Sequence, residues 1–416
     1  MADNRTRVRT RAAAAGPAAL PDDRQPVIIA ARRTPVCRAR GALKAVPAQE
    51  LLAPVLRSLL ADSGAAPGSV ADVVAGNAVG GGGNVARLSA LEAGLPAAVP
   101  GLTVDRQCGS GLDAIVLASR MVASGGSFGG SSLGGDGAVY LAGGVESIST
   151  APLRAFPGAD GPQFFSRPRF APDSFGDPDM GVAAENVAAR FGISRQRQDD
   201  FALRSHRRAL AAAAAGAFDG EITAVPVAGG TAAADDGPRR SLTAATLARF
   251  PAAFVAGGTV TAGNSCFDAD AAAAVLVTSV AQARALGARD GLLVRATRTA
   301  GVDPALLGMG AAAAAERLLA DTGISASELG LIEFNEAFAS QTLACLDQLG
   351  IDPERVNLDG GALALGHAYG ASGAVLVTRL LAQARRQRVD GLLGLAMISI
   401  AGGMGTAALF EYCTLS

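Results

Sequence analysis

Three short segments hold residues whose types could do chemistry. Cys108 lies in Asp105-Arg-Gln-Cys-Gly-Ser-Gly111, just ahead of the helical pattern Leu112–Val122. A thiol at a helix start meets the positive end of the dipole and unpaired N–H groups. Both lower its pKa and favour a thiolate nucleophile. A single cysteine can equally be a small buried apolar residue. His367 lies in Gly360-Gly-Ala-Leu-Ala-Leu-Gly-His-Ala-Tyr-Gly-Ala-Ser-Gly373. Such a glycine-rich loop entering a helix lets backbone come close to a ligand. The histidine there is either a satisfied core residue or a general base for Cys108. Asn335-Glu-Ala-Phe-Ala339 ends the apolar strand Leu329–Phe334, a place where α/β folds carry site residues.

The elements that must position them follow from pattern. Pro26–Ala31 reads as a buried strand, Ala48–Asp62 as a helix, Gly64–Gly68 as a turn and Val70–Val74 as a strand. Strand, helix and strand recur down the chain, which points to an α/β fold around a buried sheet. Leu59-Leu-Ala-Asp-Ser-Gly64 is echoed by Leu318-Leu-Ala-Asp-Thr-Gly323, an offset of 259 residues (59 to 318). At that offset Val70, Val73 and Ala78 meet Leu329, Ile332 and Ala337. A second echo pairs Tyr140–Glu146 with Ser399–Gly405. Two similar halves with a site between them are expected, with coincidence in an Ala/Gly-rich chain as the alternative. Residues 125–137 read as a flexible loop, and 151–178 as a lid or a surface excursion. Ile193–Phe218 reads as an amphipathic helix that places His206, beside Arg207 and Arg208, on a solvated face.

Composition narrows the classes. The chain has 416 residues, 50% hydrophobic and 18% charged, enough for one large or two ordinary domains. A net charge of −1 and the absence of a basic stripe argue against nucleic acid as partner. No apolar run is long enough to predict a membrane span. Five irregularly spaced cysteines with no Cys-x-x-Cys pair support neither a zinc knuckle nor a disulfide framework. Two histidines leave no multi-histidine metal site, so no metal is expected. A cytoplasmic location fits the cysteine usage. Residues 1–25 lack the apolar stretch of a secretory signal and read as a disordered tail, the alternative being a transit peptide, which Asp3, Asp22 and Asp23 weaken.

Taken together, the segments resemble the thiolase family over about Pro26–Phe410. Gln107-Cys-Gly-Ser-Gly-Leu112 is similar to the family's nucleophile motif. Ala142-Gly-Gly-Val-Glu-Ser147, Met180–Asn186, Gly258–Asn264, Asn335–Ala339 and Gly360–Gly373 follow in family order. The resemblance implies an α/β thiolase-like fold of two similar βαβαβαββ halves with an inserted loop domain. The N-terminal half would span 26–147, completed by about 258–285. The coenzyme A-binding loop domain would span 148–257 and the C-terminal half 286–416. It further implies a ping-pong acyltransferase with acyl-CoA thioesters as substrates, no permanently bound cofactor, and a homodimer or homotetramer. Cys108 would be acylated and His367 would activate it. Asn335 would hold a water in one oxyanion hole, and the N–H groups of Cys108 and Ala401 would form the other. Cys266 and Phe338 would line the pantetheine channel.

Departures from the family pattern bear on the chemistry. Ser399 stands where the family carries a second reactive Cys, and a hydroxyl is a far weaker acid than a thiol. Ala401 replaces a Gly, Ala368 a Pro, and Asp105 and Asp359 stand where Asn is common. Two carboxylates close to Cys108 would raise its pKa. Three readings follow: a carbon–carbon acyltransferase with an impaired or altered second base; a decarboxylative condensing enzyme or an acyltransferase to an amine or alcohol; and a non-catalytic homologue that binds CoA thioesters.

Overall fold

The computed structural model describes residues 22–125 and 138–415. The expected loop at 125–137 lies outside the described residues except for Gly125, and so does residues 1–21 of the expected tail. Asp22–Arg24 forms a single 3-10 turn.

The main sheet has ten strands: β1 (Pro26–Arg33), β2 (Cys37–Arg38), β3 (Val70–Gly76), β4 (Gly101–Val104), β5 (Val139–Glu146), β6 (Ala269–Ser279), β7 (Asp290–Gly301), β8 (Leu331–Phe334), β9 (Leu393–Ile400) and β10 (Met404–Thr414). Their order is β8-β9-β10-β7-β1-β6-β5-β3-β4, with β2 beside β6. Seven helices exceed ten residues: α1 (Ala48–Ser63), α2 (Ser110–Ser124), α3 (Met180–Phe191), α4 (Arg195–Ala214), α5 (Gly310–Thr322), α6 (Ala339–Leu349) and α7 (Tyr369–Gln387).

The sheet consists of two alike halves joined where β1 meets β7 through only two residue pairs, Val27–Leu293 and Ile28–Leu292. In each half a parallel pair (β3–β5, β8–β9) is followed by an antiparallel one (β5–β6, β9–β10). Helix α1 ends on Gly64 and α5 on Gly323, both left-handed at φ 68° and 70°, where glycine carries no Cβ penalty. The first echo is therefore structural. The second is not. Tyr140–Glu146 lies wholly in β5, whereas Ser399–Gly405 covers the end of β9, a turn and the start of β10. The true counterpart of β5 is β9, because both sit between a parallel and an antiparallel neighbour.

Packing follows the halves. One apolar cluster holds α1 against the first half-sheet and another holds α5 and α6 against the second. The third draws Leu112 and Ile115 of α2 and Leu376 and Leu380 of α7 together with strands of both halves. Helices α2 and α7 thus form a middle layer. Strand β6 is buried along its whole length and rich in alanine, as expected of a strand covered on both faces by closely packed elements. Between β5 and β6 the chain makes a long excursion that includes α3 and α4. Its 151–178 stretch contains a small hairpin, Arg154–Phe156 with Gln163–Phe165. Among the described residues no helix is long and apolar enough to cross a membrane, and no cluster of His, Cys, Asp and Glu could hold a metal ion.

Candidate active site

Cys108 is presented by a locally strained turn. Gln107 has φ 47°, a left-handed conformation that non-glycine residues seldom adopt unless their surroundings impose it. The surroundings are specific. Asp105 accepts the Gln107 N–H at 2.7 Å. Ser110 Oγ accepts the Arg106 N–H at 2.7 Å and donates to the Gln107 carbonyl at 2.6 Å. Gly109 lets the turn lie against the end of β9, since a Cβ there would stand 2.4 Å from Ile400 Cδ1. Ala401, next along, brings its N–H close enough to the Cys108 sulfur to favour the thiolate, as does the N–H of Cys108 itself.

His367 enters from the other half, in the turn before α7. The two helix starts touch backbone to backbone. A Cβ on Gly111 would stand 2.5 Å from the Gly370 carbonyl, and one on Gly373 2.5 Å from the Leu112 nitrogen. His367 Nδ1 is 2.6 Å from Ser372 Oγ. The His367 Nε2 and Asn335 Nδ2 atoms are buried without a hydrogen-bond partner. Buried polar atoms normally find partners, so these two are open to a polar ligand atom.

The segment 264–269 ties these loops together. The Cys266 N–H donates to the Ala337 carbonyl at 2.9 Å and Ala339 N–H to the Asn264 carbonyl at 2.9 Å. The His367 N–H donates to the Phe267 carbonyl at 2.9 Å. Ser265 and Phe338 form an isolated antiparallel bridge. Tyr369 donates its hydroxyl to Asp268 at 2.6 Å and meets the His367 ring edge-on at 5.1 Å. From below, Glu146 accepts Asn77 Nδ2 at 2.8 Å, Ala78 N–H at 2.9 Å and Gly370 N–H at 3.1 Å. It thereby fixes the first turn of α7. Glu336 is held by Ser205 Oγ at 2.6 Å and Asn357 Nδ2 at 2.7 Å.

Burial dominates the electrostatics. It pushes the Cys108 thiol up to about 12, against the pull of the Ala401 and Cys108 N–H groups. The N–H groups lower this pKa as expected, but desolvation outweighs them and the net shift is upward. Burial also pushes His367 down to about 4. The resting pair is a neutral thiol and a neutral imidazole. Asp105 adds a rise to Cys108 as expected. Asp359 instead faces Arg379 and Arg386 and accepts from Gln383 Nε2 at 3.0 Å. His206 is a further correction: it is buried, not solvated, and Nδ1 accepts the Arg239 N–H at 3.2 Å.

Ser399 is buried and fully engaged. Its hydroxyl donates to the Gly308 carbonyl at 2.6 Å and accepts the Ala311 N–H at 3.1 Å and Gln341 Nε2 at 3.4 Å. Cys345 Sγ meets the same Gly308 carbonyl at 3.2 Å.

Family models settle the kinship of this arrangement. The model for the thiolase N-terminal domain matches residues 26–281 and that for the thiolase C-terminal domain residues 292–412. The chain belongs to the thiolase family. It has the thiolase-like fold and is a thiolase-like acyltransferase. Its relatives include an acetyl-CoA acetyltransferase of Pseudomonas aeruginosa, 42% identical over 397 residues that cover 92% of this chain and 98% of the relative. VraB of Staphylococcus epidermidis is 42% identical over 393 residues, 93% of this chain and 98% of the relative. The crystal structure of the Bacillus anthracis acetyl-CoA acetyltransferase is similar with a TM-score of 0.83 and 33% identity, covering 93% of this chain and 98% of that one. Within the thiolase frame, three supporting residues escaped sequence reasoning: Glu146, Ser372 and Gln341. Glu146 and Ser372 lay inside quoted motifs. Gln341 had no local signal, since its partner Ser399 is 58 residues away.

Proposed function

We propose that this chain forms an acyl-enzyme on Cys108 from an acyl-CoA and passes the acyl group to a second acyl-CoA, by Claisen condensation or, in reverse, thiolysis. The observation that carries the proposal is the convergence of the Cys108 sulfur with the Ala401 N–H, together with the unpartnered buried His367 Nε2 and Asn335 Nδ2. His367 takes the thiol proton at Nε2, which requires Nδ1–H to be donated to Ser372 Oγ. Cys108 attacks the thioester carbonyl, and the N–H groups of Cys108 and Ala401 stabilise the oxyanion of the acyl-enzyme step. Asn335 holds a water that, with His367, faces the carbonyl oxygen of the second thioester. The excursion 148–257 serves as the loop domain that holds coenzyme A, with Cys266 and Phe338 along the pantetheine channel. The working unit is a cytoplasmic homodimer or homotetramer, and no bound cofactor takes part.

The engagement of Ser399 favours a second reading. A hydroxyl that donates to Gly308 and accepts from both Ala311 and Gln341 has no lone pair free for an α-proton, so a malonyl thioester could supply the carbanion by losing carbon dioxide, or an amine or alcohol could take the acyl group. The two readings separate when wild-type protein is given acetyl-CoA as acyl donor and either acetyl-CoA or malonyl-CoA as second substrate. Condensation with acetyl-CoA supports the first. Condensation with malonyl-CoA alone supports the second.

A further inference from the structure

We infer that Cys266 is the base that removes the α-proton of the second thioester, the task that Ser399 is not free to perform. The inference rests on the acyl-enzyme reading above and adds to it the identity of the missing base.

Position comes first. The backbone of Cys266 is bonded to the Asn335 loop through the Ala337 carbonyl, and the next residue accepts the His367 N–H. Cys266 therefore sits between the loops that carry the two unpartnered buried atoms, His367 Nε2 and Asn335 Nδ2. Its sulfur is near enough to Cys108 and Asp268 for their negative charges to raise its pKa, so its thiolate needs a cation beside it. Among the described residues the sulfur has no partner beyond its own N–H.

The other titratable groups around the site are occupied. Tyr369 donates its hydroxyl hydrogen bond to Asp268, and Asp105 accepts from Gln107. Glu146 and Glu336 are each encircled by donors. Ser399 donates to Gly308. Cys345 points at that same carbonyl and is fully buried in the outer apolar cluster. Cys266 is the remaining group with a proton to give and a lone pair to use.

The proton count closes. After Cys108 is acylated, with its own proton carried by His367 to the departing coenzyme A sulfur, Cys266–SH passes its proton to neutral His367. Burial raises the thiol and lowers the imidazole and so opposes this transfer; the two charges form only as a pair, in which each stabilises the other. The Cys266 thiolate then takes the α-proton. The carbanion attacks the acyl carbon, the Cys108–acyl bond breaks, and the Cys108 sulfur recovers its proton from His367.

The test uses the full chain with trideuteromethyl acetyl-CoA. Two rates are measured: acylation of Cys108 by intact mass, and washout of deuterium from the methyl group. In both Cys266→Ala and Cys266→Ser, washout relative to acylation should fall about 100-fold or more, the usual reach of a general base. In Ser399→Ala the ratio should stay within about threefold of wild type. Cys266→Ser retains the size and polarity of the side chain, so it guards against a packing artefact. An unchanged ratio in Cys266→Ser, or a loss in Ser399→Ala instead, would overturn the inference. Acylation without any washout in wild type would overturn it too while leaving the acyl-enzyme reading intact. Absence of acylation in wild type would instead contradict that reading itself.

Discussion

Cys108 and His367 occupy the same place in the two halves of the sheet, 259 residues apart, each in the turn before a middle-layer helix that begins two residues later, at Ser110 and Tyr369. The internal repeat thus puts a thiol in one copy and an imidazole in the other. The approach of the two helix starts, which leaves no room for a Cβ on Gly111 or Gly373, brings the copies together.

That close approach is testable. Gly111→Ala places a Cβ 2.5 Å from the Gly370 carbonyl and should cost about 1–3 kcal/mol of stability by overpacking. It should also slow acylation of Cys108 by displacing α7 and His367. Urea denaturation and intact-mass kinetics on the same variant check both effects, and a fully stable, fully active variant would contradict the packing account.

Ser372 should act through His367. Ser372→Ala removes the 2.6 Å partner of Nδ1. Loss of one such hydrogen bond is worth about 1 kcal/mol, so acylation should slow by roughly tenfold at most. Ser372→Thr should restore most of the rate, which a purely structural defect would not allow.

Each buried histidine should contribute stability that rises with pH across its own range. Burial, with the charges of Arg239 and Arg38, pushes His206 down to about 4. Between pH 4 and 6.5 the unfolded chain therefore takes up a proton that the folded chain declines. Folding loses up to about 1.4 kcal/mol per histidine for each pH unit of descent through that window. Glu146, pushed up to about 7, and Glu333, pushed up to about 8, both mainly by burial, work in the opposite direction as pH rises above 4.5. The clean comparison is His206→Gln against wild type at matched pH: relative to wild type, the variant's denaturation midpoint should gain as pH falls from 6.5 to 4.

Ser399→Ala should affect the fold more than the chemistry. It leaves the Ala311 N–H without its buried partner and the Gly308 carbonyl with Cys345 Sγ alone, at a cost of about 1–3 kcal/mol. Melting temperature should drop while α-proton exchange persists.

Much of this was legible in the chain. The Gly-flanked Cys108 before a helical pattern, the His367 loop and the first echo each reflect local rules of turns and caps, and these survive in the structure. The second echo failed because Gly-Gly serves a buried strand at Gly143–Gly144 and a left-handed turn at Gly402–Gly403. His206 was misplaced because its arginine neighbours suggest a wet face, whereas the loop at Arg239 folds over it. The direction of the Cys108 shift depends on burial, which no local pattern reveals. The partners of Ser399 lie 58 to 91 residues earlier in the chain, so only the fold could show that its hydroxyl is taken.

The measurement that bears most directly on the central claim is covalent acylation. Purified protein incubated with acetyl-CoA and longer acyl-CoAs is analysed by intact mass, and the adduct is mapped by peptide sequencing. One acyl group on Cys108 is expected in wild type, none in Cys108→Ala, and formation slowed by about 10²–10⁴ in His367→Ala. An adduct on Cys266 or Cys345 instead, or none with any thioester, would contradict the account.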